Sequence, residues 1–379
     1  MKKIILTLVL AVLSSSLFAQ STVVDQIKAA FDAKQYDQII AKHAAKAQDY
    51  PARAIYYIGL AYYRKSDDKN ALKLMNLVIQ KDKTNPEAYF TKGMALNYLK
   101  KPEEAVQAMN QAIKLDTSQS KYFSGLGDAY LIQGKYEKAL DTYIIATQKQ
   151  PPLERPFAII PQLYAELKQP KKALQAFYVA TDVLSKESDS YKLALYNIGL
   201  YEYIGKNYDK SEKAFKELVT LVPNDYPSHA KLIQVYYAQK DYDKAKPHKQ
   251  TLYEAYEAGK LKDNLKRMFC FDQFEWKGKL VLAYEKFEEK KGELYYKHVF
   301  YVTNEEGKAE FTIQTENSPV SQELGGPKYA IGMTREGSHS TFGFLKEDFK
   351  YDQLKAIVMK ILNKEVKPSA RSKMGTKDR

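Results

Sequence analysis

The chain holds one cysteine, one tryptophan and five histidines in 379 residues. With Cys270 alone, no intramolecular disulfide can form, so the fold must be held by its core. Cys270 sits in the apolar run Met268-Phe-Cys-Phe271 and reads as a packing residue rather than a reactive thiol. The histidines, His43, His229, His248, His298 and His339, show no metal-ligand spacing. No glycine-rich phosphate loop is present, and Gly325-Gly326 before Pro327 reads as a turn. Ser338-His339-Ser340 does not supply a nucleophile with its own base, because such partners usually come from distant parts of a chain. Glu288-Glu289 and Glu305-Glu306 read as solvated turn charges. Past residue 20 no stretch approaches the 18 or so apolar residues that span a bilayer. The expectation is therefore a protein without cofactor, metal or catalytic residues, and not an enzyme.

What is abundant is tyrosine, at 31 residues, and positive charge, at +13 net. A hydrophobic content of 45% is that of a folded chain. Tyrosine suits helix crossings, with its ring packed and its hydroxyl in water, and it equally suits an aromatic binding groove. Much of the charge lies at the ends: Lys2 and Lys3 at the start, and a basic stretch from Lys364 to Arg379. The mild basic bias left over the middle could favour an acidic partner or an acidic component of the cell envelope. Lys2-Lys3, the stretch Ile4 to Leu13 (apolar apart from Thr7) and the small residues ending at Ala19-Gln20 have the layout of a secretory signal peptide. Residues 1–20 are thus expected to be a leader cleaved after Ala19 or Gln20. The mature protein is then expected to be exported, periplasmic or extracellular, soluble and without a transmembrane segment. Nucleic acid is not expected as a partner.

A period of 34 residues organises most of the rest. Ala71, Ala105, Ala139 and Ala173 are spaced by it, as are Gly59, Gly93 and Gly127. Met75, Met109, Tyr143 and Phe177 keep the same step. Small residues allow two helices to approach, and the large one is expected to fill the gap to the next pair. Each unit leaves an apolar face that only a neighbour can cover, so the units must stack. Two breaks stand out. Between Ala173 and Ser211 the step is 38, so four residues are inserted near Asp182 to Ser190 as a longer second helix or as a loop. Pro161 takes a glycine position, and with Pro156 nearby it predicts a kinked or broken helix. Pro247 and Lys249 predict a worn last unit.

This pattern resembles the tetratricopeptide repeat, a helix-turn-helix unit of 34 residues. Pro151 and Pro223 fall at its closing proline, and Tyr62, Tyr130, Tyr164 and Tyr236 at an aromatic position. The resemblance covers about 52 to 258, with a degenerate opening unit over Val24 to Ala45, and implies an α-solenoid domain over residues 21–262. It also implies that the first helix of each unit lines a concave surface. The residues so placed include Arg53, Tyr56, Tyr63, Phe90, Asn97, Asp128, Arg155, Gln162, Tyr196, Tyr203, Gln234 and Tyr237. This aromatic and amide-rich set suits an extended peptide or a helix of a partner protein. Tyr56 and Leu60 stand where the family's carboxylate clamp needs Lys and Asn, which argues against that mode.

Near Gly259 the period stops. Lys279 to Phe287, Leu294 to Thr303, Glu310 to Glu316, Lys328 to Thr334 and Thr341 to Leu345 read as strands. Leu354, Ile357, Val358, Ile361 and Leu362 form the single stripe of an amphipathic helix. Residues 263–364 are thus expected to be a small α+β domain, an antiparallel meander of three to five strands with one helix. Residues 365–379 read as a flexible basic tail. The leading expectation is a non-enzymatic exported scaffold or adaptor that binds a protein or peptide. The alternatives are a C-terminal module that binds glycan or peptidoglycan while the solenoid presents it and, third, an enzyme housed in that module.

Overall fold

The computed structural model describes residues 23–290, 293–317, 329–345 and 349–373. The expected leader, most of the expected loop from Asn317 to Pro327 and the end of the tail lie outside these residues. Helix α1 (23–32) and helix α2 (Tyr36–His43) open the described chain and pass through a 3-10 turn, Ala44–Asp49. Six helical hairpins follow. They are α3 (Ala52–Arg64) with α4 (Asp68–Lys81), α5 (Pro86–Tyr98) with α6 (Pro102–Leu115), and α7 (Ser120–Ile132) with α8 (Tyr136–Thr147). Then come α9 (Glu154–Glu166) with α10 (Pro170–Val183), α11 (Asp189–Ile204) with α12 (Tyr208–Leu221), and α13 (Tyr226–Gln239) with α14 (Tyr242–Glu257). The chain divides into two compact units at Ala194/Leu195.

The hairpins start and turn by local chemistry. Proline opens α5, α6 and α10, where its missing N–H would be unbonded anyway. Asp67 and Asn85 accept from the backbone N–H groups of Asn70 and Ala88, each at 3.1 Å, and so cap α4 and α5. Every turn passes through one left-handed residue, at Lys34, Ser66, Lys100, Gly134, Lys168, Lys206 and Lys240, with φ between 56° and 70°. At the first full hairpin the N–H groups of Ser66 and Asp67 close on the carbonyls of Tyr63 and Tyr62, which satisfies the end of α3. Only Gly134 is a glycine; the others hold this conformation at a cost of roughly 1 kcal/mol each.

The repeat positions explain the packing. A Cβ placed on Gly59, Gly93, Gly127 or Gly199 would meet Met75, Met109, Tyr143 or Phe215 at 2.9 Å or less. The large residue therefore lies over the glycine of its own hairpin, rather than filling only the gap to the next pair. Met109 does both, since it also lies against Gly125 of the following hairpin.

Neither break interrupts a helix. Helix α9 runs unbroken through Pro161. Pro156 falls in its first turn, where N–H groups lack intrahelical partners, so only Pro161 removes a bond. The four extra residues lengthen neither α10 nor its turn: α10 has 14 residues like α4, α6 and α12, whereas α11 has 16. The insertion thus goes into the start of the next first helix and the link before it.

The second unit carries a seven-stranded sheet in chain order, each neighbour antiparallel. Its strands are β1 (Met268–Trp276), β2 (Lys279–Lys290), β3 (Glu293–Thr303), β4 (Ala309–Asn317), β5 (Tyr329–Arg335), β6 (Ser338–Leu345) and β7 (Ala370–Lys373). Helix α15 (Tyr351–Leu362) joins the last two. Paired positive-φ residues at Lys277-Gly278 and Glu336-Gly337 make the tight β1–β2 and β5–β6 turns. Two strands exceed the three to five expected. In β1 a bulge between Cys270 and Asp272 puts Phe271 and Asp272 both inside, which destroys the alternation. The other, β7, pairs with β6 from within the stretch read as tail.

The stripe of α15 packs where its spacing predicts. Leu354, Val358, Ile361 and Leu362 join Phe269, Phe271, Val281, Phe300 and Ile313 in one core. That core also takes in Phe215, Leu232, Ile233, Tyr236 and Leu252 from α12, α13 and α14. Sheet and last hairpins therefore fold around common apolar ground. Lys249, at the position of the large apolar residue, is half-buried against the buried Glu285 of β2 with its Nζ 2.5 Å from Oε2. The last hairpin looks worn because its neighbour is a sheet instead of a repeat.

Candidate functional site

In the first unit a groove of about 650 Å³ opens across α5, α7 and the start of α9. Four of the residues expected on the concave surface line it: Phe90, Asn97, Asp128 and Arg155. The groove also uses Met94, Lys121, Ser124 and Leu131, which occupy the same repeat positions and could have been read by the same rule. Tyr98 and Ile132 line it too, next to the hairpin turns, and are 62% and 40% exposed. A large apolar surface left open to water beside a groove marks a place of contact.

The polar groups divide into satisfied and unsatisfied. Asp128 accepts from Arg155 Nη2 at 2.7 Å and Nε at 3.0 Å, and from the hydroxyl of buried Tyr143. Burial and the Asp128 charge push the Tyr143 hydroxyl well above its usual pKa, so it stays a donor. Lys121 bonds Glu87 at 2.6 Å and lies over the Phe90 ring. Asn97 is different. Its Nδ2 donates to the Gly125 carbonyl at 3.1 Å, a partner that can only accept, and this fixes the amide orientation. Its Oδ1 is buried and has no protein partner, although the residue is only 6% exposed. An acceptor left so costs roughly 1–3 kcal/mol.

The other expected residues are not gathered here. Arg53 is exposed, and Tyr56 is half-buried, its hydroxyl pushed up by burial and by Glu87. The Tyr63 ring touches Tyr98 at 6.1 Å, which brings it to the margin of the groove. Gln162 is exposed and donates to the Ala158 carbonyl of its own helix. In the second unit Tyr196 stands edge-on to Phe215 and Tyr203 against Tyr208. Gln234 is buried and accepts from Lys231 at 3.0 Å. Tyr237 packs on Phe271 and Tyr351 at 4.9 and 5.1 Å. Strand β1 and α15 cover the face where these last two stand, so both hold the sheet.

The second unit contains two carboxylate clusters that sequence reasoning missed. Glu285 meets Lys249, accepts from the Tyr253 hydroxyl and lies 3.7 Å from His298 Nε2. Burial opposes its charge, but Lys249 and His298 outweigh it and keep the carboxyl below its usual range. Burial lowers His298 to about 4. Asp272 accepts from Tyr351 at 2.5 Å and Lys355 at 2.7 Å. Among the described residues, no three His, Cys, Asp or Glu side chains are grouped to hold a metal ion. No described helix is long and apolar enough to cross a membrane.

Family models described as tetratricopeptide repeat match residues 53–84 and 86–119. A DnaJ homolog subfamily C member 3 homolog from Dictyostelium discoideum is 27% identical over 179 residues, 47% of this chain and 29% of that protein. The chain thus spans less than a third of that relative's length. Among solved structures, Pseudomonas aeruginosa pilF matches at 17% identity and a TM-score of 0.44, over 56% of this chain and 95% of its own. The C-terminal part of a TPR repeat-containing protein from Cytophaga hutchinsonii matches at 18% identity and a TM-score of 0.46, over 54% and 80%.

Proposed function

We propose that this chain, a tetratricopeptide-repeat protein, is a non-catalytic scaffold that works outside the cytoplasm and holds a peptide segment of a partner protein in the first-unit groove. The observation that carries this reading is the groove itself, beside which Tyr98 and Ile132 stay 62% and 40% exposed. Phe90, Met94, Tyr98 and Ile132 would take apolar side chains of that segment. Lys121 is paired with Glu87 and Arg155 with Asp128, which leaves Lys100 as the surplus positive charge along the walls and favours a segment with a carboxylate. The basic, apolar and small-residue order of residues 1–20 supports the placement outside the cytoplasm.

Selection of a displayed random peptide library on the full chain tests the reading. Enriched peptides should weaken by about tenfold or more on Phe90→Ala and on Tyr98→Ala, since the apolar contact of one large side chain is worth about 1.4 kcal/mol or more. Peptides that bind both variants as tightly as the parent chain would move the site off this groove.

A further inference from the structure

A second pocket, of about 540 Å³, lies wholly within the second unit, where the ends of α11 and α13 meet β1 and α15. Five aromatic residues line it: Tyr203, Tyr208, Tyr237, Tyr242 and Phe274. Its margin holds Ile204 and Leu280, 73% and 44% exposed. The Tyr203 and Tyr208 rings meet at 5.7 Å with 56° between their planes, so they offer two differently directed faces.

The charges are balanced, with Asp272, Glu275 and Asp352 against Lys206, Lys240 and Lys355. Some are committed. Asp272 holds Tyr351 and Lys355, Asp352 accepts from the Tyr242 hydroxyl at 2.7 Å, and Lys355 lies 4.4 Å over the Phe274 ring. Others are free to act. Lys206, Lys240, Glu275 and the Gln273 amide have no side-chain partner among the described residues, and together they offer both donors and acceptors.

We propose that this pocket binds a neutral oligosaccharide, with sugar C–H faces on the tyrosine rings and hydroxyls bonded to Lys240, Gln273 and Glu275. Balanced charge gives no preference for an anion or a cation. Rings beside mixed donors and acceptors suit a ligand with apolar faces and hydroxylated edges. A peptide added as a strand along the free edge of β1 fits less well. The Gln273 backbone N–H is already bonded to the Asp272 carboxylate at 2.8 Å, so that edge is partly closed.

The test is saturation-transfer NMR and calorimetry on the full chain with chitotetraose, cellotetraose, maltotetraose and mannotetraose. At least one should bind at millimolar concentration or better, with transfer from aromatic protons. Tyr208→Ala should weaken it about tenfold, and Gln273→Ala, at an exposed position, should weaken it without touching the fold. Phe90→Ala should leave sugar binding unchanged, which keeps this pocket distinguishable from the first-unit groove. Silence from all four sugars overturns the proposal. So does sugar binding indifferent to both pocket variants, or a selected peptide that loses affinity on Gln273→Ala.

Discussion

Gly199→Ala gives the sharpest test of how the hairpins pack. The new Cβ would lie 2.5, 2.6 and 2.8 Å from three ring atoms of Phe215, closer than the 3.0 Å that real Cβ atoms keep. Phe215 is fully buried in the second unit's core, so its ring has no free space to enter. Such overpacking costs typically about 1–3 kcal/mol, while replacing Gly by Ala inside a helix returns up to about 1 kcal/mol. The net expectation is a loss of about 1–2 kcal/mol. Gly59→Ala is the control, because its closest clash is with the Cε end of Met75, which can swing aside. Its effect should stay within about 1 kcal/mol of zero. Urea unfolding followed by helical circular dichroism measures both. Trp276, the only tryptophan, reports on the second unit alone, since its ring lies in β1 and donates to Asn363. Adding Phe215→Leu to Gly199→Ala should recover part of the loss, with about 1 kcal/mol of coupling between the two sites. A Gly199→Ala protein as stable as the parent, or effects that simply add, would refute the assignment of glycine and ring as one packing unit.

Three further expectations concern the core. Lys249→Met strands the buried Glu285 carboxylate and should cost about 3–5 kcal/mol in urea unfolding, while Lys249→Met with Glu285→Leu should recover most of it; an innocuous single variant contradicts this. Burial, His229 and Lys216 lower His248 to about 4, so the unfolded chain takes up a proton first as pH falls. Stability should then be full above pH 6.5 and decline towards pH 4, and His248→Asn should flatten that decline; an identical pH profile would show that His248 does not titrate as described. Pro161→Ala restores a helix bond inside α9 and should leave the thermal midpoint within a few degrees of the parent, whereas a large loss would mean that the proline ring is essential packing.

The hairpins were legible because their signal is local and repeated. Counting alone placed Gly59, Gly93 and Gly127 and Met75, Met109 and Tyr143 at fixed repeat positions, but not that each large residue lies over the glycine of its own hairpin. The partner assignments across the second unit were not legible in that way. Lys249 reads as decay in a list of repeat positions and becomes the partner of a buried carboxylate only when Glu285, 36 residues later, is folded against it. Strand β1 hid because a single bulged residue reverses its face midway. The groove was half visible. Repeat position named Phe90, Asn97, Asp128 and Arg155, but the same rule also named Gln234 and Tyr237, whose face is covered by a sheet that no repeat rule anticipates. The unpartnered Asn97 oxygen could not be foreseen, since it depends on which carbonyl the amide nitrogen meets.

The common core of α12, α13, α14 and the sheet bears on how the gene for such a chain could change length. A duplication or loss of one 34-residue period among the first-unit hairpins exchanges one interface for an equivalent one. The same event at α13–α14 would part Lys249 from Glu285, Tyr237 from Phe271 and Tyr242 from Asp352 together. Homologous chains of different repeat number should therefore vary upstream and keep the final hairpin joined to its sheet as one inherited block.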